Sequence, residues 1–188
     1  MVNFTFDSTA QFQTNRLLLR KFRNTDIEDM LKNWISDPDV QSGYGEPAFT
    51  SPQQVAELLK SWEGQYRWAI ILKETGENIG HVSFCRLYAG IGVAEVEYCV
   101  GKAFWGKGFI TEALEAFIRH TFTSTSITKI EAFHRIGNPA SGRVLQKSGF
   151  LAAENVMRFS DLTKAPEGDI CYAITKEQFT ESQLQQKP

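Results

Sequence analysis

Residues 100–113 read VGKAFWGKGFITEA, and this stretch carries the densest chemical signal in the chain. It stands between a predicted strand over residues 93–100 and a predicted helix that begins near Ile110. Glycines here let successive backbone N–H groups turn toward one point, because no Cβ stands in the way. The first turn of the helix adds unpaired N–H groups and the positive end of its dipole. The stretch therefore predicts a backbone cradle for a phosphate or another anion.

Two well-known phosphate-binding patterns fit this stretch poorly. The spacing from Gly101 to Gly106 and Lys107 nearly matches a nucleotide-binding P-loop, but Gly108 stands where a Ser or Thr would hold Mg²⁺. The pattern that runs from Gly106 to Thr111 lacks the last glycine of a dinucleotide fingerprint. From the loop alone, a glycine turn that binds no ligand stays an open alternative.

Length and composition narrow the class of protein. The chain has 188 residues, and its 20 Lys and Arg against 22 Asp and Glu give a formal net charge of −2. One domain of this size buries a core without disulfides or a structural metal. The charge balance disfavours a nucleic-acid binder, which needs a basic face. We expect no secretory signal and no membrane span, and the three cysteines are expected as reduced thiols of a cytoplasmic protein.

Hydrophobic periodicity and turn residues predict the element order β, α, α, β, β, β, α, β, α, β, β. Thr25 is expected to cap the first helix, with Glu28 completing a capping box. The last two strands are expected near residues 150–159 and 168–174, followed by a frayed polar tail after Glu181. The strand–helix–strand segment in the middle predicts one parallel crossover beside otherwise antiparallel pairs. The chain is therefore expected to be mixed α/β.

Five short motifs occur along the chain: RLLLR at residues 16–20, EVEY at 95–98, WGKGFITEA at 105–113, NPAS at 138–141 and KSGF at 147–150. In this order they resemble the GNAT superfamily of acetyl-CoA-dependent N-acetyltransferases. The similarity is greatest to the RimJ/RimL branch, which acetylates protein N-termini and small amines. The resemblance implies one GNAT domain over residues 1–188, with its core near residues 14–176. The implied fold is an α/β (α+β) GNAT fold, a mixed and mostly antiparallel sheet of about seven strands flanked by about four helices.

The resemblance also implies acetyl-CoA as cosubstrate and no metal. In the family, a loop of the form Arg/Gln-x-x-Gly-x-Gly/Ala binds the coenzyme's pyrophosphate through backbone amides. Ala103 departs from this pattern at the first position, a change that main-chain donors tolerate. Asn138 matches the family's Asn that contacts the pantetheine arm and caps the next helix. The expected coenzyme contacts are Tyr98, Cys99, Val100, Phe104, Gly106, Lys107, Gly108, Phe109, Thr111, Asn138 and Arg143. For Lys107 and Arg143, a solvated side chain is the competing interpretation.

Acetyl transfer needs two proton movements, since the ammonium must lose a proton and the leaving thiolate should gain one. The last predicted helix lacks the Tyr that many relatives use as the acid, so the resemblance makes Ser141 the candidate. Its expected role is a hydrogen bond to the sulfur, and a hydroxyl that only starts the helix is the competing interpretation. Glu95 and Glu97 share one face of their predicted strand at about 6.5–7 Å. Two close, partly buried carboxylates raise one pKa and suit base chemistry. Asp161 is a second candidate base. A solvated pair of glutamates, or a water relay without a dedicated base, stays open.

The sequence gives fewer signals for the residues that contact the acceptor substrate. Tyr44 lies in a glycine-rich loop after the first helix, and Phe84 lies on a neighbouring strand; both are expected to contact the substrate. The expected acceptor is a primary amine of a protein N-terminus or a small molecule. Cys99 as an acyl carrier is disfavoured, because no His lies near it in the sequence. A non-catalytic GNAT-like module that binds an acyl-CoA or a protein partner is the alternative function. Exposed strand edges allow a homodimer, and neither a nucleic-acid nor a membrane partner is expected.

Overall fold

The computed structural model describes residues 10–44, 46–154, 156–159 and 168–185. Within these ranges the chain forms eight strands and six α-helices. The strands are β1 Phe12–Gln13, β2 Leu17–Arg20, β3 Arg67–Leu72, β4 Asn78–Tyr88, β5 Val93–Val100, β6 Lys129–Arg135, β7 Leu151–Ala153 and β8 Asp169–Thr175. The helices are α1 Ile27–Asn33, α2 Pro38–Gln41, α3 Pro52–Ser61, α4 Phe109–Ser124, α5 Pro139–Lys147 and α6 Lys176–Gln185.

The strands form one mixed sheet in the order β1-β2-β3-β4-β5-β6-β8-β7. β5 and β6 pair in parallel and are joined through α4, which confirms the predicted crossover. β1 with β2, β2 with β3, β3 with β4, β6 with β8 and β7 with β8 pair antiparallel. The mixed, mostly antiparallel α/β architecture is thus confirmed. The short strand β1 and the helices α2 and α6 are additions to the expected elements.

The described residues group into two compact units. The loop unit, as we call it, holds the described residues of Asp7–Ser83 and Tyr98–Phe117. The C-terminal unit holds those of Phe84–Glu97 and Ile118–Pro188. A single GNAT domain over the whole chain stays a prediction.

The loop unit has an aromatic and aliphatic core. Trp68 is fully buried, and its ring meets that of Phe117 edge to face with centroids 5.4 Å apart. Phe12 on β1 packs against both rings at 6.3 Å. α1 and α3 add a second cluster, in which Met30, Trp34, Ile35, Val40, Val55, Leu59 and Cys99 are buried together. Apolar residues at helical spacing therefore face inward, as the sequence pattern predicts.

The C-terminal unit is built on the β6–β8 ladder, which pairs Lys129 with Thr175 at one end and Arg135 with Asp169 at the other. α6 continues to Gln185, so the expectation of a frayed tail after Glu181 is wrong for that stretch. This helix contacts α4 at two places: the side-chain oxygen of Gln183 accepts a hydrogen bond from Arg119 at 2.8 Å, and the rings of Phe179 and Phe122 lie 5.6 Å apart. Among the described helices, none has the length and apolar content of a membrane span.

Two local predictions are corrected. The predicted strand over residues 150–159 is shorter, because β7 covers only Leu151–Ala153 and a 3₁₀ turn forms at Met157–Phe159. The Thr25–Glu28 capping box does not form. Instead the carboxylate of Asp26 accepts the backbone N–H of Arg23 at 2.8 Å and the guanidinium of Arg20 at 2.7 and 2.8 Å. The physical reason is that the buried Arg20 needs a carboxylate partner, which Asp26 supplies.

Candidate functional site

The connection from β5 to α4 has a backbone that requires glycine at two places. Gly106 has φ 73° and Gly108 has φ 78°, both in the left-handed region that L-residues with a side chain rarely adopt. A Cβ at Gly106 would meet nothing within 4 Å, and one at Gly108 would meet only Nη2 of Arg16, at 3.5 Å. Conformation, not space, therefore selects glycine at both positions.

Gly101 at the start of the connection is selected by space instead. A Cβ there would lie 1.9 Å from the carbonyl oxygen of Asn33 in α1, so only glycine permits this approach. Its N–H donates to the carbonyl of Ile79 at 2.9 Å. The glycines of this stretch thus have two separate roles, one in anchoring the loop and the other in turning its backbone.

The first amides of α4 lie ahead of the helix's own hydrogen bonds. The N–H of Glu112 donates to the carbonyl of Gly108 at 3.0 Å. The N–H groups just ahead of it precede the first intrahelical bond, so they have no partner within the helix. Phe104 and Phe109 pack edge to face at 6.3 Å around this turn, and Phe109 is 9% exposed. Thr111 is half-buried in the first turn, and Lys107 is exposed.

Trp105 closes the loop and was not among the predicted site residues. Its indole N–H donates to the carbonyl of Val100 at 2.8 Å, while 49% of the residue is exposed. A large aromatic side chain at the surface of a glycine loop is the sequence signal that could have found it.

The end of β5 supplies the next three expected coenzyme contacts. Tyr98 is half-buried, Val100 is buried and Cys99 packs inside the α1–α3 cluster. The burial of Cys99 supports a packed thiol over an acyl carrier. A Cβ at Gly80 would lie 2.1 Å from the carbonyl oxygen of Cys99, so β4 and β5 approach closely here. Any coenzyme contact by Cys99 therefore falls to its backbone.

Glu95 is a buried carboxylate with two side-chain partners. It is 2% exposed, and Nη2 of Arg158 lies 2.6 Å from Oε1 while Nε donates to Oε2 at 3.1 Å. The thiol of Cys85 donates to Oε1 at 3.0 Å. A general base must reach the amine or a water molecule. These contacts therefore disfavour Glu95 as the base and favour a structural role.

Glu97 differs from Glu95 in being partly exposed. Burial raises the pKa of the Cys85 thiol, and the charges of Glu97 and Glu95 raise it further. Both carboxylates thus act on the same thiol, in agreement with their predicted position on one face of the strand. Cys85 stays protonated and is a poor nucleophile.

The start of α5 contains the predicted cap. The Oδ1 atom of Asn138 accepts the backbone N–H of Ser141 at 3.2 Å, and Pro139 occupies the first turn. Ser141 is half-buried and Arg143 is exposed. The capping part of the Asn138 prediction is confirmed, and its contact with a pantetheine arm stays a prediction.

α5 lies close against β6 through a glycine. A Cβ at Gly142 would lie 2.5 Å from Nε2 of His134, so the imidazole occupies the place of a side chain. The imidazole stacks on Tyr172 with centroids 5.5 Å apart, and its Nδ1 lies 2.8 Å from the carbonyl oxygen of Arg135. These contacts hold the first turns of α5, which carry Ser141, against β6.

The predicted acceptor residues are placed unevenly. Phe84 is 6% exposed, which leaves little surface for a substrate. Tyr44 ends the 3₁₀ turn Ser42–Tyr44, and its side chain lies outside the described part of the structure. Asp161 lies outside the described residues. Among the described residues, no group of three or more His, Cys, Asp or Glu side chains is placed to hold a metal ion.

Comparisons with known proteins agree on one family. The family description "Acetyltransferase (GNAT) domain" matches residues 16–151. The chain is 36% identical over 143 residues to the uncharacterized N-acetyltransferase p20 of Bacillus licheniformis, covering 73% of this chain and 80% of that protein. It is 33% identical over 88 residues to the ribosomal-protein-serine acetyltransferase of Escherichia coli, covering 47% and 49%. The crystal structure of a GNAT-family acetyltransferase from Bacillus anthracis superposes with a TM-score of 0.76 at 25% identity, covering 89% and 99%.

Proposed function

Because the chain belongs to the GNAT acetyltransferase family, we propose that it transfers an acetyl group from acetyl-CoA directly to a primary amine. The observation that carries this proposal is the β5–α4 loop, in which Gly106 and Gly108 have positive φ angles at the start of a 16-residue helix. Such a backbone suits the oxygens of a pyrophosphate, because several N–H groups turn toward one point.

The coenzyme contacts follow from this loop. The amides of Gly106, Gly108 and Phe109 are the proposed donors to the pyrophosphate, with the Thr111 hydroxyl as a further donor and Lys107 adding positive charge. The helix dipole contributes only about 0.3–2 kcal/mol to one anion. Affinity therefore has to come from several donors together with the pantetheine arm, for which Asn138 is proposed. The rest of the coenzyme is proposed to contact Tyr98, Val100, Phe104, Arg143 and the backbone of Cys99.

The proposed reaction replaces the C–S bond of the thioester with a C–N bond and moves protons at nitrogen and sulfur. The neutral amine nitrogen attacks the thioester carbonyl carbon, the C–N bond forms and the C–S bond breaks, so the electron pair leaves with sulfur. The amine gives up a proton to a base, and sulfur receives one. Ser141 is proposed to donate a hydrogen bond to the sulfur as it leaves. A serine hydroxyl is a weak acid, so its contribution is to stabilise developing negative charge.

Glu97 is the proposed base. It is partly exposed, whereas Glu95 is only 2% exposed. Exposure lets a carboxylate exchange a proton with the amine or with a bridging water. A water relay that needs no carboxylate is the competing proposal, and Asp161 is the other candidate.

The acceptor is proposed to be a primary amine. The similarity to a ribosomal-protein-serine acetyltransferase makes a protein N-terminus the first acceptor to test. Small-molecule amines such as polyamines, amino acids and aminoglycosides form the second class. The three cysteines are free thiols, as a reducing compartment favours, and we propose a cytoplasmic location.

Ligand-dependent thermal stability tests the coenzyme assignment. Acetyl-CoA is expected to raise the Tm of the protein equally with and without Mg²⁺, because a ligand that binds the native state stabilises it. ATP with Mg²⁺ is expected to leave the Tm unchanged. A response to ATP with Mg²⁺ and none to acetyl-CoA would overturn the proposal in favour of a P-loop-like phosphate binder. Binding without turnover would favour the non-catalytic acyl-CoA module.

A further inference from the structure

The guanidinium of Arg16, just before β2, contacts three parts of the loop–helix junction. Its Nε donates to Oε2 of Glu112 at 2.6 Å, and its Nη2 lies at the same distance from that oxygen. Its Nη1 donates to the carbonyl of Lys107 at 3.0 Å. Its Cζ lies 4.4 Å from the centroid of the Phe109 ring. One side chain therefore holds the loop, the first residue of α4 and the first helical turn together.

Thr14 and the backbone of Arg16 bind the second oxygen of Glu112. We call these contacts of Thr14 and Arg16 with Lys107, Phe109 and Glu112 the clamp. The hydroxyl of Thr14 donates to Oε1 of Glu112 at 2.5 Å, and the backbone N–H of Arg16 donates to the same oxygen at 3.1 Å. Burial alone would raise the pKa of the Glu112 carboxyl, but these hydrogen bonds and the Arg16 charge hold it below its ordinary value. Glu112 is thus ionised near neutral pH, and both of its oxygens have partners.

The bond to Lys107 has a consequence for Gly108. The carbonyl of Lys107 and the N–H of Gly108 belong to the same planar peptide group and point in opposite directions. Gly106 and Gly108 flank this residue, and glycines leave the backbone freer than other residues do. Because Arg16 holds the Lys107 carbonyl, the N–H of Gly108 points away from the Arg16 guanidinium.

The charge of Arg16 has a second consequence. Glu112 lies in the first turn of α4, where its carboxylate would repel an incoming pyrophosphate. Arg16 offsets that negative charge at 2.6 Å. An exposed ion pair contributes little to stability, and Arg16 has 46% of its side chain exposed. The arrangement is therefore better explained by what it does to the loop than by what it adds to folding.

We propose that Arg16 is a positioning residue for the coenzyme, which presets the Gly108 N–H and offsets the charge of Glu112. The inference rests on the proposed function, because it takes the β5–α4 loop as the site of the acetyl-CoA pyrophosphate. Arg16 does not have to touch the coenzyme for this role.

The test is the Kd of acetyl-CoA by titration calorimetry, with the kcat at saturating acetyl-CoA measured beside it. Arg16→Ala is expected to raise the Kd about tenfold, the cost of about one charge-assisted hydrogen bond, with kcat changed less than about twofold. Arg16→Lys keeps the positive charge but loses the forked guanidinium, so its Kd is expected to lie between those of the wild type and Arg16→Ala. Removing the bare carboxylate in the double variant Arg16→Ala/Glu112→Gln is expected to recover part of the affinity.

Arg119→Ala is the matched control. Arg119 also lies over an aromatic ring, that of Phe179, and donates to Gln183 at 2.8 Å, but it is ten residues further along α4 than Phe109. Its Kd is expected to equal that of the wild type. An Arg16→Ala or Arg16→Lys protein that binds acetyl-CoA like the wild type, even with a lower Tm, overturns the inference alone. A wild-type protein that does not bind acetyl-CoA overturns the proposed function as well.

Discussion

Glu95 on β5 and Glu131 on β6 are register partners in the parallel pair, and both carboxylates are buried. The 3₁₀ turn Met157–Phe159 engages both of them: Arg158 binds Glu95 at 2.6 Å, and the backbone N–H of Met157 donates to Glu131 at 2.6 Å. Lys129 lies 2.6 Å from the other oxygen of Glu131. Two buried carboxylates thus attach the chain after β7 to the sheet.

Glu95→Gln is expected to destabilise the protein by about 1–3 kcal/mol, because Arg158 loses a charged partner in a largely buried setting. Urea unfolding measures this change. The variant is expected to keep the wild-type pH profile of kcat in the fraction that stays folded. A kcat that collapses while the free energy of unfolding is unchanged would instead make Glu95 the base.

Glu97→Gln is the companion variant on the same strand. If Glu97 is the base, its loss is expected to lower kcat about 10²-fold or more and to remove the acidic limb of the pH–rate profile. The free energy of unfolding is expected to change less than for Glu95→Gln, because Glu97 is partly exposed. A kcat and pH profile like those of the wild type would point to a water relay or to Asp161.

Ser141→Ala tests the proposed hydrogen bond to sulfur while the helix cap is kept. The cap bond to Asn138 uses the backbone N–H of Ser141, which alanine retains. Asn138→Ala, in contrast, loses the cap at about 1 kcal/mol. Turnover by Ser141→Ala is expected to fall about tenfold or more, with little change in the Kd of acetyl-CoA. Turnover equal to that of the wild type would show that Ser141 is only a residue of the first turn of α5 and takes no part in the reaction.

Gly108→Ala and Gly76→Ala form a matched pair. Both glycines have positive φ, 78° and 76°, and a Cβ at Gly76 would meet nothing within 4 Å. Each variant is expected to lose about 1 kcal/mol of stability from backbone strain. Only Gly108→Ala is expected to weaken acetyl-CoA binding, by about tenfold or more, because its new Cβ strains the positive φ that orients the amide, a proposed donor to the pyrophosphate. Equal Kd values for both variants would place the pyrophosphate elsewhere.

Glu112 predicts a pH dependence of stability. Its pKa in the folded protein is below the ordinary value of 4.5, so its contribution is present above that value and is lost as the pH falls through the folded pKa. The stability difference between wild type and Glu112→Gln is therefore expected to be small, because the Arg16 side chain is 46% exposed, but largest near neutral pH and smaller in acid. Urea unfolding of both proteins from neutral pH into acid measures this difference in the free energy of unfolding. A difference that does not vary with pH contradicts the clamp.

Much of the fold follows from local patterns. The bounds of β5 at Val93–Val100 match the predicted strand, and α5 begins at Pro139, as the preceding Asn138 predicts. These elements have their signals within a few residues. The glycine loop was found for the same reason, since positive φ values restrict the residue type at the position itself.

Long-range partners could not be predicted in this way. Arg16 and Glu112 are 96 residues apart, and the motifs that contain them give no sign that the two side chains meet. The α1 cap was mispredicted because the buried Arg20 takes Asp26 as its partner, which depends on tertiary burial. The partner of the buried Glu95 likewise could not be predicted, because Arg158 comes from a turn 63 residues away from it. Alternation along a strand places two side chains on one face but does not say what covers them.

The most direct test of the proposed acetyl transfer is product analysis of the wild-type protein. Acetyl-CoA is incubated with the protein and with peptides, polyamines, amino acids or aminoglycosides, while released CoA thiol and the acceptor's mass are followed. Thiol release is expected to equal the amount of acceptor that gains one acetyl group, and both signals are expected to vanish when the acceptor amine is blocked. Binding of acetyl-CoA with no acetylated product from any amine would contradict it.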